Sequence, residues 1–283
     1  MRVVNLAIST PFEGKAWALD RWLGALHAAN LPEGTQLIWL CNSPDPEFFA
    51  RLTAAAKAMP WPVTLWRDAE RATVGDIKDR TVSYLWRELR KRIPVETERV
   101  FCLEDDVLLG TGTVEVLLAL SAEHGPLTVV AAPTPCRVGH VGSPEGVWVD
   151  DSGRVDGWTV APRTRETDFA DSAAFGATMF PRALFERLPL TSDPRARPYW
   201  GYDTYAGECV RNMGGTILAA WEARVDHMEH PTISDPCTQR HPRDLDDFRA
   251  GNTDPRQNDR HHEARKRRGH GSHTRRTWRG IRP

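Results

Sequence analysis

Short apolar runs alternate with amphipathic helical stripes along most of the chain, and this alternation restricts the fold more than any other feature. Residues 3–9 (VVNLAIS) read as a buried strand, broken by Pro11 and Gly14. Leu19, Trp22, Leu23 and Leu26 then recur at the spacing of one helix face. Residues 36–41 (QLIWLC) give a second strand ending in the turn-rich NSPDP, 48–58 a helix, and 62–66 a third strand. A helix over 76–92 carries Ile77, Val82, Leu85, Trp86 and Leu89. A fourth strand, 99–103, runs straight into Glu104-Asp105-Asp106. Strands and helices repeating at this interval need crossover connections, so the expected class is α/β, a mixed, mainly parallel sheet flanked by helices.

Beyond the acidic triplet the pattern predicts a helix over 114–120 and a strand over 127–132. Residues 133–167 show no regular period, with Trp148 and Trp158 as their main apolar anchors. A strand over 175–180, a short helix over 181–188 with Pro181 in its first turn, and a second irregular loop over 189–200 follow. A helix over 202–213 stops at Gly214-Gly215, and 216–221 forms a last strand from which 225–231 (VDHMEHP) extends. No internal repeat occurs.

Eleven Trp and 40% hydrophobic residues in 283 exclude a wholly disordered chain and suffice for a sizeable core. No run approaches the ~18–20 apolar residues of a membrane span, and residues 1–10 do not read as a secretory signal. Five scattered cysteines without a CxxC pair suit reduced thiols and a cytoplasmic location. The net charge of −1 conceals two unlike parts. Residues 260–283 carry nine Lys and Arg against the single Glu263, a balance of +8, which leaves −9 for residues 1–259. With almost no apolar content this tail is expected to be mobile from about residue 260. Its charge suits a polyanion, nucleic acid among them, or serves solubility alone.

Three clusters carry chemistry. Glu104, Asp105 and Asp106 end a strand, where open α/β sheets bind ligands. Adjacent carboxylates repel unless a cation or proton separates them, and Mg²⁺ or Mn²⁺ takes such acids together with phosphate oxygens. The competing account is an acid cluster at the start of the next helix, near Thr111–Thr113, favoured by the helix dipole. Asp203 and Glu208 lie in the helix after Trp200-Gly201-Tyr202, as N-terminal caps or with one as a general base. His227 and His230 follow the last strand, as metal ligands or as surface residues.

The order of these segments resembles that of the GT-A nucleotide-sugar glycosyltransferases. The matching stretches are VVNLAIST, LEDDV at 103–107, FGATMFPRALFERL at 175–188, WGYDTYAGECVRNMGG at 200–215 and ARVDHMEHP at 223–231. LEDDV is similar to the Asp-x-Asp motif, whose last acid binds the metal that bridges the donor's phosphates. That match implies Asp106 as metal ligand, with Glu104 toward the donor's ribose or the metal's waters; Asp105 is a further donor-binding candidate, since a Glu-Asp-Asp triplet leaves open which two acids act. The segment from Trp200 resembles the acceptor side of polypeptide N-acetylgalactosaminyltransferases, which puts Asp203 in the place of the acid after Trp-Gly. ARVDHMEH resembles the segment in which a histidine completes the metal sphere, here His227. A second acid of some members falls on Ala206, with Glu208 nearby. The resemblance implies a GT-A domain over 1–235, with a donor-nucleotide half (1–132), an acceptor half (133–235) and a basic extension (236–283).

The implied activity is metal-dependent transfer of a sugar from a nucleoside diphosphate donor, UDP-sugar favoured, to an acceptor hydroxyl, with Mn²⁺ or Mg²⁺ as cofactor. Lys78 and Arg80 are candidate helpers at the departing diphosphate. Thr10, Asn42 and Ser43 are candidates for base or ribose contacts, or plain turn formers. Trp200, Tyr202 and Glu208 are candidates for the acceptor side. Arginines interleaved with Trp and Tyr in 133–167 and 189–200 suit stacked bases, sugar rings or loop anchoring. With the basic tail they point to a nucleic-acid acceptor, such as a hydroxymethylated pyrimidine in bacteriophage DNA. The alternatives are a glycan or protein acceptor, a nucleotidyltransferase, and a non-catalytic nucleic-acid-binding protein that uses the tail.

Overall fold

The computed structural model describes residues 5–68, 78–134, 146–149, 155–157, 167–170, 172–191 and 202–228, with backbone alone described for 78–81, 146–149, 155–157 and 167–169. The first half alternates as the apolar pattern requires: β1 (Leu6–Phe12), α1 (Ala16–Ala28), β2 (Gln36–Cys41), α2 (Pro46–Ala58), β3 (Val63–Arg67), α3 (Lys78–Arg90) and β4 (Arg99–Leu103). Then come β5 (Val107–Leu109), α4 (Thr113–Glu123), β6 (Thr128–Ala131), β7 (Gly146–Val149), β8 (Val155–Gly157), β9 (Thr167–Phe169) and β10 (Ser172–Ala173). The described chain closes with β11 (Ala177–Pro181), α5 (Arg182–Phe185), α6 (Tyr202–Asn212), β12 (Thr216–Ala220) and β13 (Val225–His227).

Eight strands form the main sheet in the order β3-β2-β1-β4-β11-β6-β12-β9. β1, β2, β3 and β4 pair in parallel, as do β6 and β12. β11 runs antiparallel between β4 and β6, and β9 runs antiparallel to β12 at the edge. Side-chain alternation sorts the core into two layers. Leu6, Ile8 and Phe12 of β1 face α1, α2 and α4, whereas Ala7 faces α3, α5 and α6. Phe12, Trp22 and Trp39 meet edge-to-face at 5.1–5.8 Å in the first layer. Phe175 is the hub of the second, against Trp86, Phe180, Phe185 and Tyr202.

Three elements differ from the sequence pattern. Pro11 does not end β1, which runs on to Phe12. The last β1–β4 pair is Ser9–Cys102, so at Pro11 the strand has a neighbour on one side only and a missing N–H is tolerated. The stretch 133–167 is not without strands: β7 and β8 pair antiparallel there, and β10 adds to β7. β5 and β13, three residues each, form a separate antiparallel ribbon. Among the described residues no helix is long and apolar enough to cross a membrane. Cys41, Cys102 and Cys209 form no disulfide among the described residues, and burial raises the pKa of Cys41 and of Cys102.

Candidate metal and nucleotide-sugar site

β4 delivers the acidic triplet to its carboxyl end, and the turn is fixed from three directions. The Glu104 N–H donates to the Gly176 carbonyl (3.0 Å), and the Trp22 indole of α1 donates to the Glu104 carbonyl (2.9 Å). The Met228 N–H donates to the Asp106 carbonyl (2.8 Å), continuing the ribbon in which His227 stands opposite Val107. One strand end and one two-stranded ribbon therefore meet at the triplet. Ligand atoms of Glu104, Asp106 and His227 all lie within 4.8 Å of one another, with His227 Nε2 3.5 Å from Asp106 Oδ1. β5 lies between the triplet and α4, whose N-cap is Gly112, so the acids do not start that helix.

Asp105 is directed elsewhere. Its Oδ2 accepts the Glu13 N–H at 2.9 Å, and its Oδ1 meets the Lys15 ammonium at 2.6 Å. The same ammonium reaches Asp106 Oδ2 at 2.7 Å. Burial raises the Asp105 pKa above its usual range, and the Lys15 charge opposes that rise. Lys15 belongs to no motif in the sequence; its only local signal is the preceding Gly14. That glycine has φ +88°, and a Cβ on it would lie 2.6 Å from Ser43 Oγ, so the loop closes tightly on the end of β2.

Tyr202 and Asp203 open α6 on the second-layer side. The Tyr202 phenol is pushed well above its ordinary pKa by burial first, then by the negative charges of Glu104 and Asp203. Asp203 Oδ1 accepts the Thr204 N–H at 2.7 Å, and the Ser172 hydroxyl donates to the Asp203 carbonyl at 2.7 Å. Ser172 belongs to β10, so the small three-stranded sheet braces the start of α6. Glu208 lies five residues on, about 140° around the helix from Asp203, so the two carboxylates do not share a face.

No protein-family profile matches the chain, and no curated protein sequence matches it. Solved structures do. The chain is similar to GalNAc-T7 with UDP, GalNAc and Mn²⁺, at a TM-score of 0.60 and 13% identity over 81% of this chain and 44% of that one. The GT-A arrangement of the sheet and its flanking helices is shared with that protein. The chain has the GT-A fold.

Two further structures share the GT-A fold with it. One is the mannosyltransferase PcManGT from Pyrobaculum calidifontis in complex with GDP-Man and Mn²⁺ (TM-score 0.55, 14% identity, 83% of this chain and 59% of that one). The other is S. aureus TarS 1-349 in complex with UDP-GlcNAc (TM-score 0.51, 10% identity, 80% of this chain and 59% of that one). This chain thus spans roughly half the length of the proteins it resembles, between 44% and 59%.

Within the GT-A frame the expected site residues fall into three groups. Glu104, Asp106 and His227 come together, and Tyr202 feels the charges of both Glu104 and Asp203. Glu104, which the motif resemblance puts toward the donor's ribose or the metal's waters, has a carboxylate oxygen within 4.8 Å of ligand atoms of Asp106 and His227. Thr10 and Asn42 lie at the ends of β1 and β2, 0% and 6% exposed; Thr10 Oγ1 and Asn42 Oδ1 have no hydrogen-bond partner among the described residues. Ser43 Oγ accepts the Asp45 N–H, and Asp45 caps α2 through the Glu47 N–H, the turn-forming role weighed for this segment. Lys78 and Arg80 occupy the first turn of α3, with side chains outside the described residues. Trp200, His230, the loop 192–200 and the tail 260–283 lie outside them as well.

Proposed function

We propose that this GT-A chain is a divalent-metal-dependent glycosyltransferase that moves a sugar from a nucleoside diphosphate sugar, a UDP-sugar by preference, to an acceptor hydroxyl. The observation that carries the reading is the convergence of Glu104, Asp106 and His227 at the carboxyl end of β4. Two carboxylates and one imidazole with ligand atoms within 4.8 Å suit Mn²⁺ or Mg²⁺, a hard oxygen-rich set with a single nitrogen. The fold-sharing structures with UDP and Mn²⁺, GDP-Man and Mn²⁺, and UDP-GlcNAc support a nucleotide-sugar donor.

When bound at these three residues, a divalent ion supplies positive charge against the negative charge that develops on the departing diphosphate. The chain's own groups do the rest. Asp203 accepts the proton of the acceptor hydroxyl as that oxygen bonds to the anomeric carbon. The bond from this carbon to the diphosphate oxygen breaks, its electron pair leaves with the nucleoside diphosphate, and configuration inverts. The Thr204 N–H holds Asp203 Oδ1 and so fixes the carboxylate's orientation. Tyr202 keeps its proton at neutral pH and adds no third negative charge beside Glu104 and Asp203.

For the acceptor, the sequence supports a polyanion, specifically a hydroxymethylated pyrimidine in DNA. Residues 260–283 carry a balance of +8, and arginines alternate with Trp and Tyr in the two loops that precede α6. The test is label transfer from UDP- and GDP-sugars, with and without Mn²⁺, to hydroxymethylated DNA, to glycans and to peptides. Turnover on DNA that disappears in Asp106→Ala supports the reading, and transfer to a glycan or peptide alone replaces the acceptor. DNA binding that survives Asp106→Ala with no transfer from any donor returns the chain to a non-catalytic nucleic-acid-binding role.

A further inference from the structure

The acidic turn already contains a cation. Lys15 Nζ lies 2.6 Å from Asp105 Oδ1 and 2.7 Å from Asp106 Oδ2, and the side chains are 22%, 3% and 1% exposed respectively. The two oxygens of Asp106 are thereby divided, Oδ2 toward Lys15 and Oδ1 toward His227 Nε2. Buried carboxylates with no compensating charge are strongly unfavourable, so this pair requires a counter-ion whether or not a metal is bound. The three carboxylates and one ammonium leave two negative charges at the turn, which one divalent ion cancels.

We propose that Lys15 is a positioning residue, a built-in counter-ion that keeps Asp106 in its metal-binding arrangement before the ion arrives and weakens the ion's hold. This inference rests on the metal reading given above. Its logic is electrostatic: an ammonium that shares Asp106 with an incoming divalent ion repels that ion, so the same contact stabilises the metal-free protein and lowers its metal affinity. With Lys15 counted the ion-loaded turn is neutral, where three carboxylates and the ion alone would keep one negative charge, so the turn puts no net repulsion on a negatively charged diphosphate. Lys15 stands on the loop between β1 and α1, ninety positions before Asp105 in sequence, and Gly14 fixes the loop against Ser43. The counter-ion is therefore delivered by a rigid element and not by a long surface side chain folding back by chance.

The test is titration of Mn²⁺ alone into wild type, Lys15→Met and Lys15→Arg, by calorimetry and by the ion's paramagnetic signal, beside their melting temperatures with and without Mn²⁺. Lys15→Met should melt lower than wild type without metal, bind Mn²⁺ roughly tenfold more tightly, and regain most of its lost melting temperature at saturating Mn²⁺. Lys15→Arg keeps the charge and should follow wild type in both readouts. A merely structural lysine predicts equal melting losses with and without the ion and an unchanged Mn²⁺ affinity, and that result overturns the inference. If Lys15→Met folds only when Mn²⁺ is present throughout preparation, the inference stands; if Mn²⁺ does not recover it, the inference falls. Wild-type protein that binds no Mn²⁺ removes the metal reading and this inference with it, whereas equal Mn²⁺ affinity in wild type and Lys15→Met removes the inference alone.

Discussion

Gly110→Ala tests, from outside the cluster, whether the β5–β13 ribbon is what positions His227. The Gly110 N–H donates to the Arg224 carbonyl at 2.8 Å, at the end of the ribbon opposite His227. A Cβ on Gly110 would lie 2.8 Å from both the Cβ and the carbonyl oxygen of Arg224. Non-bonded carbons rest at about 3.5 Å or more, so the Arg224 backbone must retreat by roughly 0.7 Å. Overpacking of this kind costs about 1–3 kcal/mol, a fall of roughly 3–10 °C in melting temperature for a domain of this size. Arg224 precedes Val225, and only the pairs Val225–Leu109 and Asp226–Leu108 separate it from His227, so the displacement is passed along the ribbon to the imidazole. Mn²⁺ affinity should fall by roughly tenfold or more, the usual size of the effect when a metal ligand's support is disturbed. Gly112→Ala is the control: φ there is +81° and nothing lies within 4 Å, so the methyl adds backbone strain of about 1–2 kcal/mol without pushing on Arg224. It should lower the melting temperature and leave Mn²⁺ affinity unchanged. A Gly110→Ala protein that is destabilised as expected yet binds Mn²⁺ as tightly as wild type would refute the ribbon's role.

Other expectations follow from the same geometry. Asp203→Asn should lower kcat by roughly 10²–10⁴-fold and leave donor affinity unchanged, since in the proposed mechanism Asp203 is the base and no donor contact; equal losses in both would contradict that role. Deleting residues 260–283 should raise KM for DNA at low salt, with the difference shrinking as salt rises; an unchanged salt dependence contradicts a role for the tail. Gly24 is exposed inside α1, and a methyl added there would meet nothing within 4 Å, so Gly24→Ala should raise stability by about 0.5–1 kcal/mol in denaturant titration. Burial holds Cys102 above its ordinary 9.0 and Tyr202 above its ordinary 10.0, so both keep their protons where the unfolded chain has lost them. Their stabilising effect is complete below those ordinary values and is lost as pH rises through the folded ones; phenolate absorbance from Tyr202 should therefore appear together with alkaline unfolding.

The parallel half of the sheet was legible because its strands are continuous apolar runs and its helices carry full amphipathic stripes. The LEDDV turn was legible for the same reason, since RVFCL marks a strand whose end must be a loop. β5 and β13 were not, because three-residue strands are too short to show a period of two. β7 and β8 were hidden among glycines, prolines and charges, where pairing partners decide the structure and local propensity does not. Nor does any pattern announce that β11 runs antiparallel between β4 and β6. At the site, Asp106 and His227 stood out by residue type and order, but the place of Glu104 beside them depends on the turn's direction. Lys15 is the clearest case of a residue that sequence reading passes over. Its role exists only through a contact ninety residues away, and a lysine after a glycine is otherwise an ordinary loop residue.

In the proposed function Glu104, Asp106 and His227 hold a divalent ion on which nucleotide-sugar binding depends. The most direct measurement is a calorimetric titration of UDP- and GDP-sugars into wild type and His227→Ala, each with and without saturating Mn²⁺. Donor binding by wild type should strengthen sharply with Mn²⁺, and a His227→Ala protein of intact fold should lose that gain. Donor binding of equal strength with and without Mn²⁺, or a gain that survives in His227→Ala, would contradict the proposed function.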